Sequence, residues 1–185
     1  MLVKMKKRFT YLIFLMVMLF LNCKSEKPID SMEFVTPPPI EEPFKVTLSV
    51  VVKHDDTFSL YYSEDSTAYF TKEPIWLAVN GNENLQDIVY RLPYDAKPQL
   101  LRLDFGMNEN QEDILLNSIN FDYKGKSETI DLPEIGIYFR ADDSKCSFDK
   151  DSGLIIANID KGKRKFPSLY PDERTLSPLI NNLSN

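Results

Sequence analysis

The chain is poor in the residues on which most enzyme active sites and disulfide frameworks depend. Its 185 residues include one histidine and two cysteines. A serine or cysteine nucleophile normally needs a nearby base, usually histidine, and His54 lies in an acidic turn, far along the chain from Cys146. The signatures G-x-S-x-G, H-E-x-x-H, P-loop and G-x-G-x-x-G are also missing. We therefore predict a non-catalytic protein without a cofactor.

Long apolar runs are also scarce, and the one near the start is too short to span a bilayer. Residues 11–21 are apolar throughout, and as a helix they would cover roughly half of a ~30 Å hydrocarbon core. They follow a basic segment that contains Lys4, Lys6, Lys7 and Arg8. A basic flank before a short apolar run is typical of a secretory leader. An uncleaved N-terminal membrane anchor is the alternative.

The apolar run ends in Phe20-Leu21-Asn22-Cys23, which resembles the lipobox of bacterial lipoproteins. In that family the cysteine becomes the first mature residue and carries lipid. The resemblance implies a signal peptide over residues 1–22, lipid attachment at Cys23 and a membrane-anchored protein of the cell envelope. Several acyl chains together anchor firmly, because each buried CH₂ contributes about 0.8 kcal/mol.

Positive charge is in short supply once the leader is removed. The mature chain would keep 18 basic residues against 28 acidic ones, a net charge of −10. Such a surface repels phosphate backbones at long range, which argues against nucleic acid as a partner. Only Cys146 would remain as a free thiol, so the fold needs no intramolecular disulfide.

Proline marks the boundary of the folded domain. Residues 24–43 hold five of the twelve prolines, a composition that excludes helix and sheet and favours extended polyproline II. We predict a tether over residues 23–43 that begins at the lipidated cysteine, and one domain over residues 44–185.

Apolar and polar residues alternate from Phe44 onward, which predicts half-buried antiparallel strands. Val46, Leu48, Val50 and Val52, for example, alternate with mostly polar neighbours. A short helix is predicted only near the end, with Ser177 as N-cap and Pro178 at its first position. Many short strands without intervening helices indicate an all-β fold, and we predict an antiparallel β-sandwich of jelly-roll type with a short C-terminal extension. The strands are expected near residues 46–52, 58–62, 75–79, 88–92, 100–105, 114–123, 135–139 and 154–159.

Acidic pairs recur in the predicted turns. Carboxylates and turn carbonyls together can hold Ca²⁺, but aspartate is common in turns for conformational reasons. We therefore predict solvated turns and no metal site. The pairs are Asp55-Asp56, Glu64-Asp65, Glu112-Asp113 and Asp142-Asp143.

Strand alternation also places a set of side chains on the face opposite the core. Trp76 falls opposite Ile75, Leu77 and Val79, and Tyr61 falls opposite the apolar residues of its own strand. An outward tryptophan and tyrosine can stack on the apolar C–H faces of sugar rings. Arg102 and Asp104, also predicted to face outward, could supply hydrogen bonds to the hydroxyls. The alternative is that the segment at residues 166–170 covers Trp76.

A second resemblance supports the sugar hypothesis. The runs Phe58-Ser59-Leu60-Tyr61-Tyr62, Leu92-Pro93 and Leu101-Arg102-Leu103-Asp104-Phe105-Gly106 look like a β-sandwich module of bacterial cell-envelope proteins. That module accompanies glycosyltransferases and surface-polysaccharide proteins and has been likened to carbohydrate-binding domains. The resemblance implies a glycan-binding module. The other hypothesis is a structural or assembly lipoprotein that contacts another envelope protein through an edge strand or an apolar patch.

Overall fold

The computed structural model describes residues 42–184, and the predicted signal peptide, Cys23 and most of the tether lie outside them. Antiparallel strands dominate these residues, so the prediction of an all-β fold is confirmed. The first sheet has the order β4-β1-β6-β10-β9, with β7 also paired to β6, and the second has the order β3-β2-β5-β13-β8. The strands are β1 Lys45–Val52, β2 Asp56–Ser63, β3 Ile75–Val79, β4 Asn82–Arg91, β5 Leu100–Asp104, β6 Ile114–Tyr123, β7 Lys126–Asp131, β8 Phe139–Ala141, β9 Cys146–Phe148, β10 Leu154–Ala157, β11 Ile159–Asp160, β12 Lys163–Arg164 and β13 Ser168–Pro171.

The two sheets contribute to one buried apolar cluster. In β1 every second residue from Val46 to Val52 is almost completely buried, and the residues between them are partly exposed. Phe58 in β2 and Phe105 just after β5 join the same cluster, and their rings meet edge to face with centroids 5.4 Å apart. Burial of this shared apolar cluster is the main stabilising contribution to the fold.

The segment at residues 135–139 is not the strand that its sequence predicted. Helix α1 occupies Ile135–Tyr138, and strand β8 begins only at Phe139. Ile135 and Phe139 are buried while Ile137 is 55% exposed, so the apolar spacing is four residues rather than two. A run of five residues fits both the two-residue period of a strand and the 3.6-residue period of a helix. Contact with the core decides which of the two forms.

The C-terminal helix is longer than predicted and begins one turn earlier. Helix α2 spans Glu173–Ser184, and Pro178 lies inside it rather than at its first position. Asp172 precedes the helix, where its carboxylate accepts a hydrogen bond from the backbone N–H of Arg174 at 3.0 Å. Burial of Leu176, Ile180 and Leu183 along one face of the helix outweighs the N–H that proline removes. Neither helix of residues 42–184 has the length and apolar character needed to cross a bilayer.

Candidate functional site

The four residues singled out from the sequence lie on one face of the second sheet. Ser59 in β2 pairs with Trp76 in β3 on one side and with Asp104 in β5 on the other. Tyr61 pairs with Arg102 in the same ladder. Directly paired residues project from the same side of an antiparallel sheet. We call this side, which is opposite the buried apolar layer, the outer face.

Trp76 is the exposed aromatic residue of this face. Its side chain is 50% exposed, whereas Val79 on the other side of β3 is buried. The alternative in which residues 166–170 cover Trp76 is wrong, because β13 pairs with β5 and β8 and is separated from β3 by two strands. No other aromatic ring or cation stacks on Trp76 among residues 42–184. Half of the surface of Trp76 is therefore open to a ligand.

Tyr61, in contrast, is packed into a cluster of aromatic rings around Arg102. The guanidinium carbon of Arg102 lies 4.1 Å from the centroid of the Tyr61 ring and 5.0 Å from that of Tyr170. Phe70, from the loop between β2 and β3, closes the cluster with its ring centroid 6.3 Å from Tyr61 and 6.4 Å from Tyr170. Cation–π and edge-to-face contacts of this kind stabilise the cluster.

Arg102 and Asp104 form a salt bridge with two hydrogen bonds. The Nε of Arg102 donates to Oδ1 of Asp104 at 2.8 Å, and a terminal guanidinium nitrogen donates to Oδ2. This two-point contact raises the pKa of Arg102 further above its ordinary value. Both side chains are about four-fifths buried, with 18% and 20% of their surfaces exposed. Arg102 and Asp104 are therefore engaged mainly with each other, and both side chains help to hold the outer face together.

Sequence patterns did not reveal the residues that complete this face. Tyr170 lies in β13, a strand too short to show alternation, and it pairs with Arg140 in β8. Arg140 is exposed, and its guanidinium carbon lies 5.6 Å from the Tyr170 ring. Tyrosine and arginine therefore alternate across the sheet in the row formed by Tyr61, Arg102, Tyr170 and Arg140.

Two nucleophilic side chains lie near the sheet, but neither reaches solvent. The Nζ of Lys145 donates to Oγ of Ser168 at 3.2 Å, yet Ser168 is completely buried. Cys146 is also buried, and burial raises the pKa of its thiol, which favours the unreactive neutral form. Within residues 42–184, no three His, Cys, Asp or Glu side chains group closely enough to hold a metal ion.

Comparison of the chain with protein-family models, curated proteins and solved structures gave no match. The function is therefore inferred from the geometry and chemistry of the outer face.

Proposed function

We propose that this protein is a membrane-anchored lipoprotein of the cell envelope that binds glycan, without catalysing a reaction, on the outer face of a jelly-roll sandwich. The observation that carries the proposal is the half-exposed ring of Trp76. It is the only tryptophan of the chain, and an exposed tryptophan is uncommon unless it has a partner. The C–H faces of a pyranose ring suit such a partner, since they are apolar while the hydroxyls around them remain hydrated.

The surroundings of Trp76 favour a chain of sugars over a single sugar. Ala78, two residues along the same strand, is small and exposed, so a ligand can approach the indole from that side. Across the sheet, Phe166 is 41% exposed just before β13. Three strand spacings separate β3 from β13, about 14 Å. An oligosaccharide is long enough to contact both positions.

Replacement of Trp76 by alanine is expected to weaken glycan binding at least roughly tenfold, because a stacked ring contributes apolar burial and about 0.5–1.5 kcal/mol besides. The full chain in detergent is first screened on an array of bacterial and host glycans. Titration calorimetry then compares the wild type with Trp76→Ala. In the wild type, fluorescence reports on this one site, and a bound sugar should change both the emission and its quenching by acrylamide.

The matched control is Tyr94→Ala, which removes another aromatic side chain that is 65% exposed. This variant should bind glycan like the wild type. Equal losses in the two variants would contradict a specific role for Trp76. A folded protein that binds no glycan on the array would contradict the proposed function as a whole.

The second candidate function is a structural or assembly role, and the position of β3 favours it. This strand is at the edge of the second sheet, where one side of its backbone has no neighbouring strand in that sheet. An open edge can pair with a strand of another protein. If the glycan array shows no binding, a crosslinked stoichiometric envelope partner would support this second role.

Lipid attachment is tested by the change Cys23→Ala. Acyl chains are the proposed anchor, so the variant should incorporate no labelled palmitate and should leave the membrane fraction for the soluble one. Ser31→Ala, in the proposed tether, is the control and should remain lipidated. Retention of Cys23→Ala in the membrane with its leader still attached would instead support an uncleaved apolar anchor.

A further inference from the structure

A lysine-rich hairpin projects at the point where the chain passes from the first sheet to the second. Strands β11 and β12 pair with each other, and Lys161 and Gly162 form the turn between them. Their φ angles are 52° and 79°, as in a type I′ two-residue turn, which matches the twist of the strands. We call residues 159–165 the basic hairpin. Its geometry keeps Lys161 and Lys163 exposed to solvent.

The charge of the basic hairpin is opposite to that of the chain as a whole. The chain has a net charge of −6, whereas the hairpin presents Lys161, Lys163 and Lys165. Only Lys165 has an acidic partner, Asp160, at 2.7 Å, and neither Lys161 nor Lys163 forms an ion pair within residues 42–184. At physiological salt, charges act over about 8 Å. An anionic ligand held here would therefore respond to these lysines, and to Asp160 and Asp143 near them, more than to the rest of the acidic surface.

The basic hairpin is joined in sequence to the second sheet, whose outer face carries Trp76. It leads directly into β13, and the backbone N–H of Lys165 donates to the carbonyl of Asn158 at 2.8 Å, which closes its base. Ser168 pairs with Asp104, Asp104 with Ser59, and Ser59 with Trp76. These residues form one row across the sheet, with Trp76 in its first strand and Ser168 in its fourth, three residues after the basic hairpin ends.

We propose that the glycan bound by this face is an anionic polysaccharide, with one sugar stacked on Trp76 and acidic groups further along the chain held by Lys161 and Lys163. The inference rests on the proposed function and narrows its ligand to one chemical class. Exposed Arg140 adds a further positive charge on the same side, in the strand next to β13. Arg102 adds none, because Asp104 neutralises it.

The double change Lys161→Gln/Lys163→Gln is expected to weaken binding of polygalacturonate or dextran sulfate roughly tenfold, since each exposed ionic contact contributes modestly. The dependence of affinity on salt should become shallower at the same time. Binding to the full chain is measured by Trp76 fluorescence and calorimetry. Dextran, which has the same backbone as dextran sulfate without its charge, should bind more weakly than dextran sulfate and should be unaffected by the double change.

The chain offers a closely matched control. Lys124-Gly125-Lys126 connects β6 and β7 with the same three residues in the same turn, with φ angles of 50° at Lys124 and 76° at Gly125. Lys124→Gln/Lys126→Gln therefore removes the same charge from the same turn type elsewhere on the surface. This variant should keep nearly wild-type affinity for both anionic polysaccharides.

Three results would overturn the inference. Equal losses in the two double variants would mean that only the overall charge matters. Equally tight binding of polyglutamate, an anionic polymer without sugar, would mean that the hairpin attracts polyanions in general. Binding of dextran as tightly as dextran sulfate, lost in Trp76→Ala, would leave the glycan proposal intact and refute the anionic class. If none of the sugars binds, the proposed function itself fails.

Discussion

Replacement of Asp56 by alanine is expected to lower the free energy of unfolding by about 2–4 kcal/mol, although the residue belongs to an acidic pair in a turn. Asp56 is only 8% exposed. Its Oδ1 accepts backbone N–H groups from Thr57 at 2.8 Å, Met107 at 2.6 Å and Asn108 at 3.0 Å. Alanine would leave these three partly buried donors without their charged acceptor, and the loss of several such bonds at once is costly.

The carboxylate of Asp56 fits against the backbone after β5 because residue 106 is glycine. Its φ is +84°, and a Cβ at this position would lie 2.3 Å from Oδ2 of Asp56. Only glycine both adopts this backbone conformation readily and leaves room for the carboxylate. The turn after β5 is therefore stabilised jointly by Asp56 and Gly106, at the end of the core where β2 begins.

Urea unfolding of the full chain measures the loss at Asp56. Asp87→Ala, a change at an exposed acid in β4, is the control and should alter stability by less than about 0.5 kcal/mol. Asp56→Asn keeps one oxygen acceptor and should fall between alanine and the wild type. A loss at Asp56→Ala no larger than that of the control would show that the turn does not depend on the carboxylate.

Long strands could be predicted from the sequence because buried apolar residues and more exposed residues largely alternate along them. Ile75–Val79 and Ile114–Tyr123 have the bounds that the pattern predicted. The pattern did not predict β7, because only one of its residues is buried, or β9, β12 and β13, because two to four residues are too few to show a period. The start of helix α2 was misplaced because Pro178 suggested a first turn, whereas the buried face of the helix decides its length.

Residues of the outer face could be predicted only in the strands that show alternation of apolar and polar residues. Strand parity placed Trp76, Tyr61, Arg102 and Asp104 on the outward side, and the register of β2 with β3 and β5 brings them onto one face. Pairing between β5 and β13 joins residues far apart in sequence, so the contact of Arg102 with Tyr170 left no local signal. The sequence predicted ligand contacts for Arg102 and Asp104 but not their two-point contact with each other, although they are only two residues apart in β5.

Replacement of Arg102 by alanine is expected to destabilise the protein by about 2 kcal/mol, less than for a fully buried pair because both partners keep about a fifth of their exposure. The change leaves the Asp104 carboxylate without its two donors and removes the cation that lies against the Tyr61 and Tyr170 rings. Arg102→Lys keeps the charge but cannot make the planar two-point contact, so it should recover only part of the loss. Urea unfolding measures each variant, with Arg91→Ala, at an exposed arginine of β4, as the control.

The same variants separate a supporting role of Arg102 from direct contact with a ligand. If the arginine holds the aromatic cluster together, Arg102→Met/Asp104→Leu should recover stability relative to Arg102→Ala, because an apolar pair can replace a partly buried ion pair. Glycan affinity should then follow the folded fraction, since the stacking ring of Trp76 is one strand beyond β2. If Arg102→Ala instead unfolds at the same urea concentration as the wild type but binds glycan much more weakly, then the guanidinium contacts the sugar and its pairing with Asp104 is not its main role.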